Sequence, residues 1–296
     1  MNHQRIYVTS PLLSLSRFDH PGSAPHRDPF EEIARSYSVN FIEKGNFSLR
    51  IEDRRWQMSR GKVFLTYPGM IFRCRHAEEF PEDVSFSVTY SNRFFDHQDD
   101  LRSVISKRTE CVAALDNRLA YLHMRLTALI AGHADVMTAE IVAGELFAAA
   151  TEAGVSNRRL HNTHQLAWYA ERVEAARRLM ESTYNDKHTL SSLARFTGMS
   201  PFHFARIFRE LIGTPPHRFL MNVRLARASE MLIEKVSVTE ACFATGFANL
   251  SHFIRLFQRT FGVSPSKFSR AKTQTVRSLP RMYFSGSKSD GRGNGY

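Results

Sequence analysis

The stretch from Thr189 to Arg270 carries one pattern twice, and no other feature limits the fold of this chain as strongly. The first copy reads LSSLARFTGMSPFHFARIFRELIGTPPHRF and the second TEACFATGFANLSHFIRLFQRTFGVSPSKF. Gly198 pairs with Gly246 at an offset of 48, whereas His203, Phe204, Arg206, Phe208, Gly213, Pro216 and Phe219 pair with His252, Phe253, Arg255, Phe257, Gly262, Pro265 and Phe268 at 49. One residue has therefore entered the turn of the second copy. Each copy joins a short apolar-periodic segment, a glycine-containing turn and a second amphipathic segment bearing arginine, which is the sequence form of a helix-turn-helix.

In the first copy, Ser200 followed by Pro201 is an N-cap and a first-turn proline, and predicts a helix from Pro201 to Leu211. Phe204, Ile207, Phe208 and Leu211 make its apolar stripe, which leaves Phe202, His203, Ala205, Arg206 and Arg209 facing outwards. In the second copy, Ser237 to Glu240 reads as a capping box, and Asn249 as the N-cap of a helix reaching Thr260. There Phe253, Leu256 and Phe257 turn inwards, leaving Leu250, Ser251, Ile254, Arg255 and Gln258. A recognition helix sets its N-terminal residues against base edges in the major groove. Arg206 and its equivalent Arg255 are the first choices for base contact, because a guanidinium fork bonds guanine O6 and N7 together. Phe202, Leu250 and Ile254 suit thymine methyls, with Ile254 also placed for the edge of the core, while Arg209 suits phosphate. His203 and His252 repeat, but one histidine per unit supplies too few ligands for a metal.

A helix from Thr163 to Ser182 is expected to buttress the first unit, and His217 to Lys235 reads as a helix bridging the two. At roughly 1.5 Å per residue the bridge spans about 29 Å, close to the ~34 Å of one DNA turn, so both heads can enter successive major-groove segments of double-stranded DNA.

Charge divides the same way. The net charge is +11, yet residues 1–160 hold 20 Lys+Arg against 20 Asp+Glu, and residues 161–296 hold 20 against 9. Only the C-terminal half is built to meet a polyanion, and nucleic acid fits better than a membrane surface. With no run of 18 apolar residues and no cationic segment leading into an apolar core, the expectation is a cytoplasmic protein without membrane contact. Cys74, Cys111 and Cys242 are scattered, form no CxxC pair and read as small buried hydrophobes.

The first hundred residues alternate at period two. After a proline-rich, irregular start through Pro29, Tyr37-Val39-Phe41 and Phe47-Leu49-Ile51 flank Lys44-Gly45-Asn46 as a hairpin. Further strands carry Trp56 and Met58, Val63 to Leu65, Ile71 to Cys74, and Val84 to Tyr90. Many short strands broken at glycine and proline predict an antiparallel sandwich or barrel, and such a barrel can enclose a small ligand. Tyr37, Phe41, Trp56, Phe72 and Phe86 are the inward set, lining a pocket for a small organic effector or filling a core. Arg73-Cys74-Arg75-His76 offers no two histidines one residue apart followed by a glutamate, the convergent set a catalytic metal needs, so no metal and no cofactor are expected, and His76 with Glu78 and Glu79 reads as a charged loop or, on the sharper reading, a ligand site.

Leu115, Leu119, Leu122, Leu126 and Leu129 recur at spacings of four and three, the seam of a helix that wants a partner helix. That partner is either the segment around Ile141 to Phe147 of the same chain or a second subunit, and a homodimer is the favoured reading.

Residues 189–270 resemble the AraC/XylS family of bacterial transcription regulators. The resemblance rests on Leu193-Ala194, Gly198, Ser200, Phe204-x-Arg206-x-Phe208, Arg224-Leu225-x-x-Ala228, Gly246-Phe247, Ser251-x-Phe253-x-Arg255-x-Phe257 and Gly262-x-Ser264-Pro265. Pro215, where serine is common, is a departure. The segment from Ile42 to Phe72 resembles the cupin-like sensor barrels of bacterial regulators through Gly45, Gly61, Pro68 and Gly69. Together they imply an α+β multidomain chain with an N-terminal cupin-like antiparallel β-barrel and an all-α domain of two helix-turn-helix motifs bridged by a long helix. The expected divisions are a barrel at 1–110, a helical dimerisation region at 111–153, a linker at 154–163, the DNA-binding domain at 164–272 and a disordered tail at 273–296. The resemblance implies a transcription activator that meets RNA polymerase and is no enzyme. The competing classes are a DNA-repair methyltransferase with a similar DNA-binding module, which needs an activated thiolate and a multi-cysteine zinc site, and a barrel enzyme tethered to DNA.

Overall fold

A computed structural model describes residues 3–20, 30–76, 82–96, 111–132, 135–152 and 160–270. Most of the expected linker, the tail, and Glu78 and Glu79 lie outside these residues. The chain divides into two compact units, Met1–Leu160 and His161–Tyr296. No helix among the described residues is long and apolar enough to cross a membrane.

Among the described residues the first unit holds ten strands: β1 (His3–Thr9), β2 (Leu13–Asp19), β3 (Glu32–Ile33), β4 (Tyr37–Lys44), β5 (Asn46–Ile51), β6 (Arg54–Ser59), β7 (Lys62–Thr66), β8 (Ile71–Arg75), β9 (Val84–Tyr90) and β10 (Val112–Ala114). They form a six-stranded sheet in the order β1-β2-β9-β4-β7-β10 and a four-stranded sheet in the order β3-β8-β5-β6. All pairings are antiparallel. This is the two-sheet form of a cupin-like barrel.

Two expectations need correction. The start of the chain is not irregular: β1 and β2 pair with each other, and β2 pairs with β9 from Leu13–Tyr90 to Asp19–Val84. Nor do β4 and β5 form a hairpin. β4 pairs with β7 and β9, and β5 with β6 and β8, so Lys44-Gly45-Asn46 is the corner where the chain passes from one sheet to the other. Gly45 sits at φ +76°, and a Cβ there would lie 2.7 Å from Asp83 Cα and Cβ, so only glycine fits the corner.

Two helices follow, α1 (Asn117–Ala131) and α2 (Val136–Glu152). Asp116 caps α1 by accepting from the Leu119 amide at 2.8 Å. The helices pack on each other and are tied by the buried Arg125–Glu145 pair at 3.0 Å. Both cover the six-stranded sheet. Phe147 of α2 meets Tyr37 and Tyr90, and His123 of α1 stacks on Phe41 with ring centroids 4.5 Å apart. The Tyr90 hydroxyl donates to the Ala143 carbonyl at 2.7 Å. This packing consumes the leucine seam. Leu119, Leu122 and Leu126 are 0–1% exposed within one chain, Leu129 is half-buried, and Leu115 precedes the helix. The seam found its partners inside the protomer, so it is no subunit interface.

The second unit contains α3 (Thr163–Ser182), α4 (Leu190–Phe196), α5 (Pro201–Ile212), α6 (Pro216–Ile233), α7 (Val238–Ala244), α8 (Leu250–Phe261) and α9 (Pro265–Arg270). Local signals place these helices well. Asn162, Thr189, Ser200, Ser237 and Asn249 each accept a backbone N–H three residues on, and Gly213 and Gly262 end α5 and α8 in the left-handed conformation. The bridge α6 begins at Pro215 without a side-chain cap, whereas Ser264 at the equivalent position accepts from the Lys267 amide at 3.4 Å.

Candidate nucleic-acid interface and barrel cavity

Each helix-turn-helix is built around phenylalanines. In α5, Phe204, Ile207, Phe208 and Leu211 are fully buried as their spacing requires, and Phe208 meets Phe219 of α6 edge-on at 5.6 Å. In α8, Phe253 and Phe257 are fully buried and Phe257 meets Phe268 at 5.3 Å. The apolar stripe thus fixes which face of each helix is left over. On α5 that face presents Phe202, 90% exposed, with Arg206 and Arg209 in solvent and Ala205 half-buried.

His203 is more than a surface residue. Its ring lies 5.4 Å from Tyr169 of α3, and Arg206 Nη2 reaches its Nδ1 at 3.3 Å. Burial first, then the charges of Arg206 and His161, hold its pKa below the ordinary histidine value. The neutral ring therefore accepts from Arg206 and aims the guanidinium.

On α8, Asn249, Ser251, Arg255 and Gln258 are exposed, and the Asn249 side chain is engaged as N-cap to the His252 amide at 2.8 Å. Leu250 and Ile254 depart from the expected outward set. Both are half-buried and packed against the core of Leu225, Phe247, Phe253 and Phe257, so they present only edges to a groove. The extra residue lies just before this helix. Phe247 follows Gly246 into the core at 5% exposure, and Ala248 takes up the added length in solvent.

One residue of the unit was visible in sequence only as part of a family pattern. Arg224 of α6 is 8% exposed, and its guanidinium donates to three carbonyls: Tyr184 at 2.7 Å, Gly246 at 2.8 Å and Asp186 at 2.8 Å. A single charged fork thus ties the bridge helix to the loop after α3 and to the second turn. An arginine inside the apolar row of Leu220, Leu225, Ala228 and Leu232 was the available signal.

The first unit has a partly open cavity of about 520 Å³ between its sheets. Phe72 alone of the five aromatics expected there lines it. Tyr37, Phe41 and Phe86 point to the opposite face of the six-stranded sheet, against Phe95, Phe147 and His123, and Trp56 packs on the apolar core beside Phe47 and Leu49. The register shows why. The pairs Tyr37–Tyr90, Val39–Val88 and Phe41–Phe86 share one face of the sheet, and Ser38–Thr89 and Asn40–Ser87 share the other. Both faces are buried, so alternation reveals two faces without saying which is the inside. The polar set lines the cavity, with Ser38 and Thr66 hydroxyls 2.7 Å apart and Asn40 Nδ2 donating to Ser38 Oγ at 2.7 Å and to the Phe64 carbonyl at 3.2 Å.

His76, read with Glu78 and Glu79 as a charged loop, is itself buried. Its side chain is 6% exposed, and its Nε2 lies 3.2 Å from Asp83 Oδ1, which also lies 2.9 Å from His20 Nδ1. Burial raises the Asp83 pKa, but the contacts and charges of the two imidazoles outweigh it and hold the carboxyl well below its usual range. All three residues line the cavity.

Comparison with known proteins matches both halves. A family model described as a helix-turn-helix domain covers residues 193–271, and one described as an AraC-like ligand binding domain covers residues 16–93. The HTH-type transcriptional regulator GlxA of Rhizobium meliloti is 34% identical over 31% of this chain and 28% of its own length. The bifunctional transcriptional activator/DNA repair enzyme AdaA of Bacillus subtilis is 28% identical over 38% of this chain and 53% of its own length. Those two matches thus span about half of the relatives or less. The Msm operon regulatory protein of Streptococcus mutans serotype c is 23% identical over 80% of this chain and 85% of its own length.

A cupin-like two-sheet domain followed by two helix-turn-helix units on one bridging helix defines the class of two-headed helix-turn-helix regulators. The chain belongs to the AraC/XylS family.

Proposed function

We propose that the protein is a sequence-specific, DNA-binding transcription activator in which α5 and α8 read double-stranded DNA and the N-terminal domain holds a small-molecule effector. The observation that carries this reading is the matched pair Arg206 and Arg255, both in solvent on capped helices whose opposite faces are wholly committed to the core. Phe202, His203, Ala205 and Arg209 complete the first head, and Asn249, Ser251, Gln258 and the edges of Leu250 and Ile254 the second. Because the two heads differ, one chain reads an asymmetric site. Residues 1–110 serve as the sensor, 111–153 as its helical cover, 154–163 as the linker, and 164–272 as the reader. RNA polymerase is the partner the family resemblance implies. A homodimer needs a face other than the leucine seam.

A methyltransferase reading finds less support. It needs an activated thiolate, whereas Cys242 is buried and burial pushes its thiol up.

The test is binding to genomic promoter fragments at several salt concentrations. Arg206→Ala and Arg255→Ala should each lose about 1–3 kcal/mol and relax base preference at separate half-sites. Variants that bind every sequence like the parent chain would remove the assigned reading face.

A further inference from the structure

We infer that His20, His76 and Asp83 form a binding site for one divalent transition-metal ion of the zinc type, with an open coordination position facing the cavity of the first unit. The site goes beyond the regulatory reading and does not depend on it.

The three ligand atoms, His20 Nδ1, His76 Nε2 and Asp83 Oδ1, lie within 4.8 Å of one another. Asp83 Oδ1 stands 2.9 Å from the first and 3.2 Å from the second. Zinc takes imidazole nitrogen at about 2.0–2.1 Å and carboxylate oxygen at about 2.0–2.2 Å, so the edge of its tetrahedron is about 3.4 Å. The two separations from Asp83 Oδ1, 2.9 and 3.2 Å, are a few tenths of an ångström shorter than that edge, so seating an ion asks the three side chains to open by a small rotation. Two imidazoles and a carboxylate suit zinc, nickel, cobalt and iron(II), whereas magnesium and calcium prefer all-oxygen shells.

The surroundings are those of a framed site. The ligands come from three separate segments: the residue after β2, the residue after β8 and the residue before β9. Their side chains are 11%, 6% and 5% exposed. The His20 amide donates to the Asp83 carbonyl at 3.1 Å, Gly45 leaves room for Asp83 by having no Cβ, and Phe47 stands 5.5 Å from the His76 ring. Three protein ligands leave at least one position of the ion unfilled, and the cavity lies in front of it. A water, or a carboxylate or hydroxyl of a small molecule, would complete the shell there.

The experiment titrates the chelator-treated full chain with zinc chloride by calorimetry and records X-ray absorption of the zinc-loaded chain. The expected result is one equivalent bound through two imidazole nitrogens, with the rest of the shell oxygen. His76→Gln and Asp83→Asn should each weaken binding by at least about tenfold. A chain that takes up no zinc overturns the proposal, as does unchanged affinity in both variants. Should either variant fail to fold, the absorption spectrum of the unaltered chain decides: a shell with fewer or more than two imidazoles also overturns the site. The three groups would then be an ion-paired cluster only.

Discussion

Arg224 Nη1 donates to the carbonyl of Gly246 at 2.8 Å, across 22 residues of sequence, and this bond couples the bridging helix to the turn of the second helix-turn-helix. The same guanidinium also holds the carbonyls of Tyr184 and Asp186. Replacing Arg224 by Ala leaves three carbonyls without their donor and should destabilise the second unit by about 3 kcal/mol. Lysine should recover only part of this, since its compact ammonium cannot span the three acceptors as a planar fork does. Urea denaturation of the three proteins measures both effects.

The two turn glycines should differ in cost although they occupy equivalent places. Gly198 has φ +68° with nothing within 4 Å of an added Cβ, so Gly198→Ala meets only the left-handed backbone strain of about 1–2 kcal/mol. Gly246 has φ +84°, and its added Cβ would stand 2.7 Å from Asn185 O, 2.9 Å from Asn185 Cα and 3.0 Å from Arg224 Cζ. Gly246→Ala should therefore cost more than Gly198→Ala and weaken DNA binding through the displaced Arg224. Equal losses in denaturation would contradict the close approach seen here.

Acid should loosen the first unit through Glu43. Its carboxylate lies 3.1 Å from His123 Nε2 and 3.2 Å from Arg17 Nε. Burial alone would raise its pKa, but His123, Arg17 and Arg60 together hold it below the ordinary value of 4.5. A depressed folded-state pKa contributes stability that is fully present above the unfolded value and is lost as pH falls through the folded one. Melting temperature should drop as pH is lowered from about 5 towards the lowered pKa, and Glu43→Gln should reduce that slope.

The two faces of the six-stranded sheet should respond in opposite ways. Phe41→Ala opens a void against His123 and should cost about 3–5 kcal/mol without touching the cavity. Ser87→Leu places a larger side chain in the cavity and should abolish thermal shifts by small-molecule ligands. If Phe41→Ala removed ligand binding while leaving stability intact, the assignment of faces would be reversed.

The leucine seam gives a last check. Leu122→Ala should lose about 2–5 kcal/mol and leave the sedimentation behaviour of the folded chain unchanged, because Leu122 is 1% exposed inside a single protomer.

What the sequence determined by itself was the reading half. Thr189, Ser200 and Asn249 cap their helices, Gly213 and Gly262 end them, and the phenylalanine spacing sets the buried face, so signals a few residues apart place Arg206 and Arg255. The sandwich was legible only as strands. Period-two alternation cannot say which of two buried faces encloses a cavity, whether Gly45 turns a hairpin or a corner, or whether Leu122 meets its own sheet or another subunit. Only the tertiary structure brought His20, His76 and Asp83 together, because long-range pairing of β2 with β9, and of β8 within the opposite sheet, sets positions that no local spacing encodes.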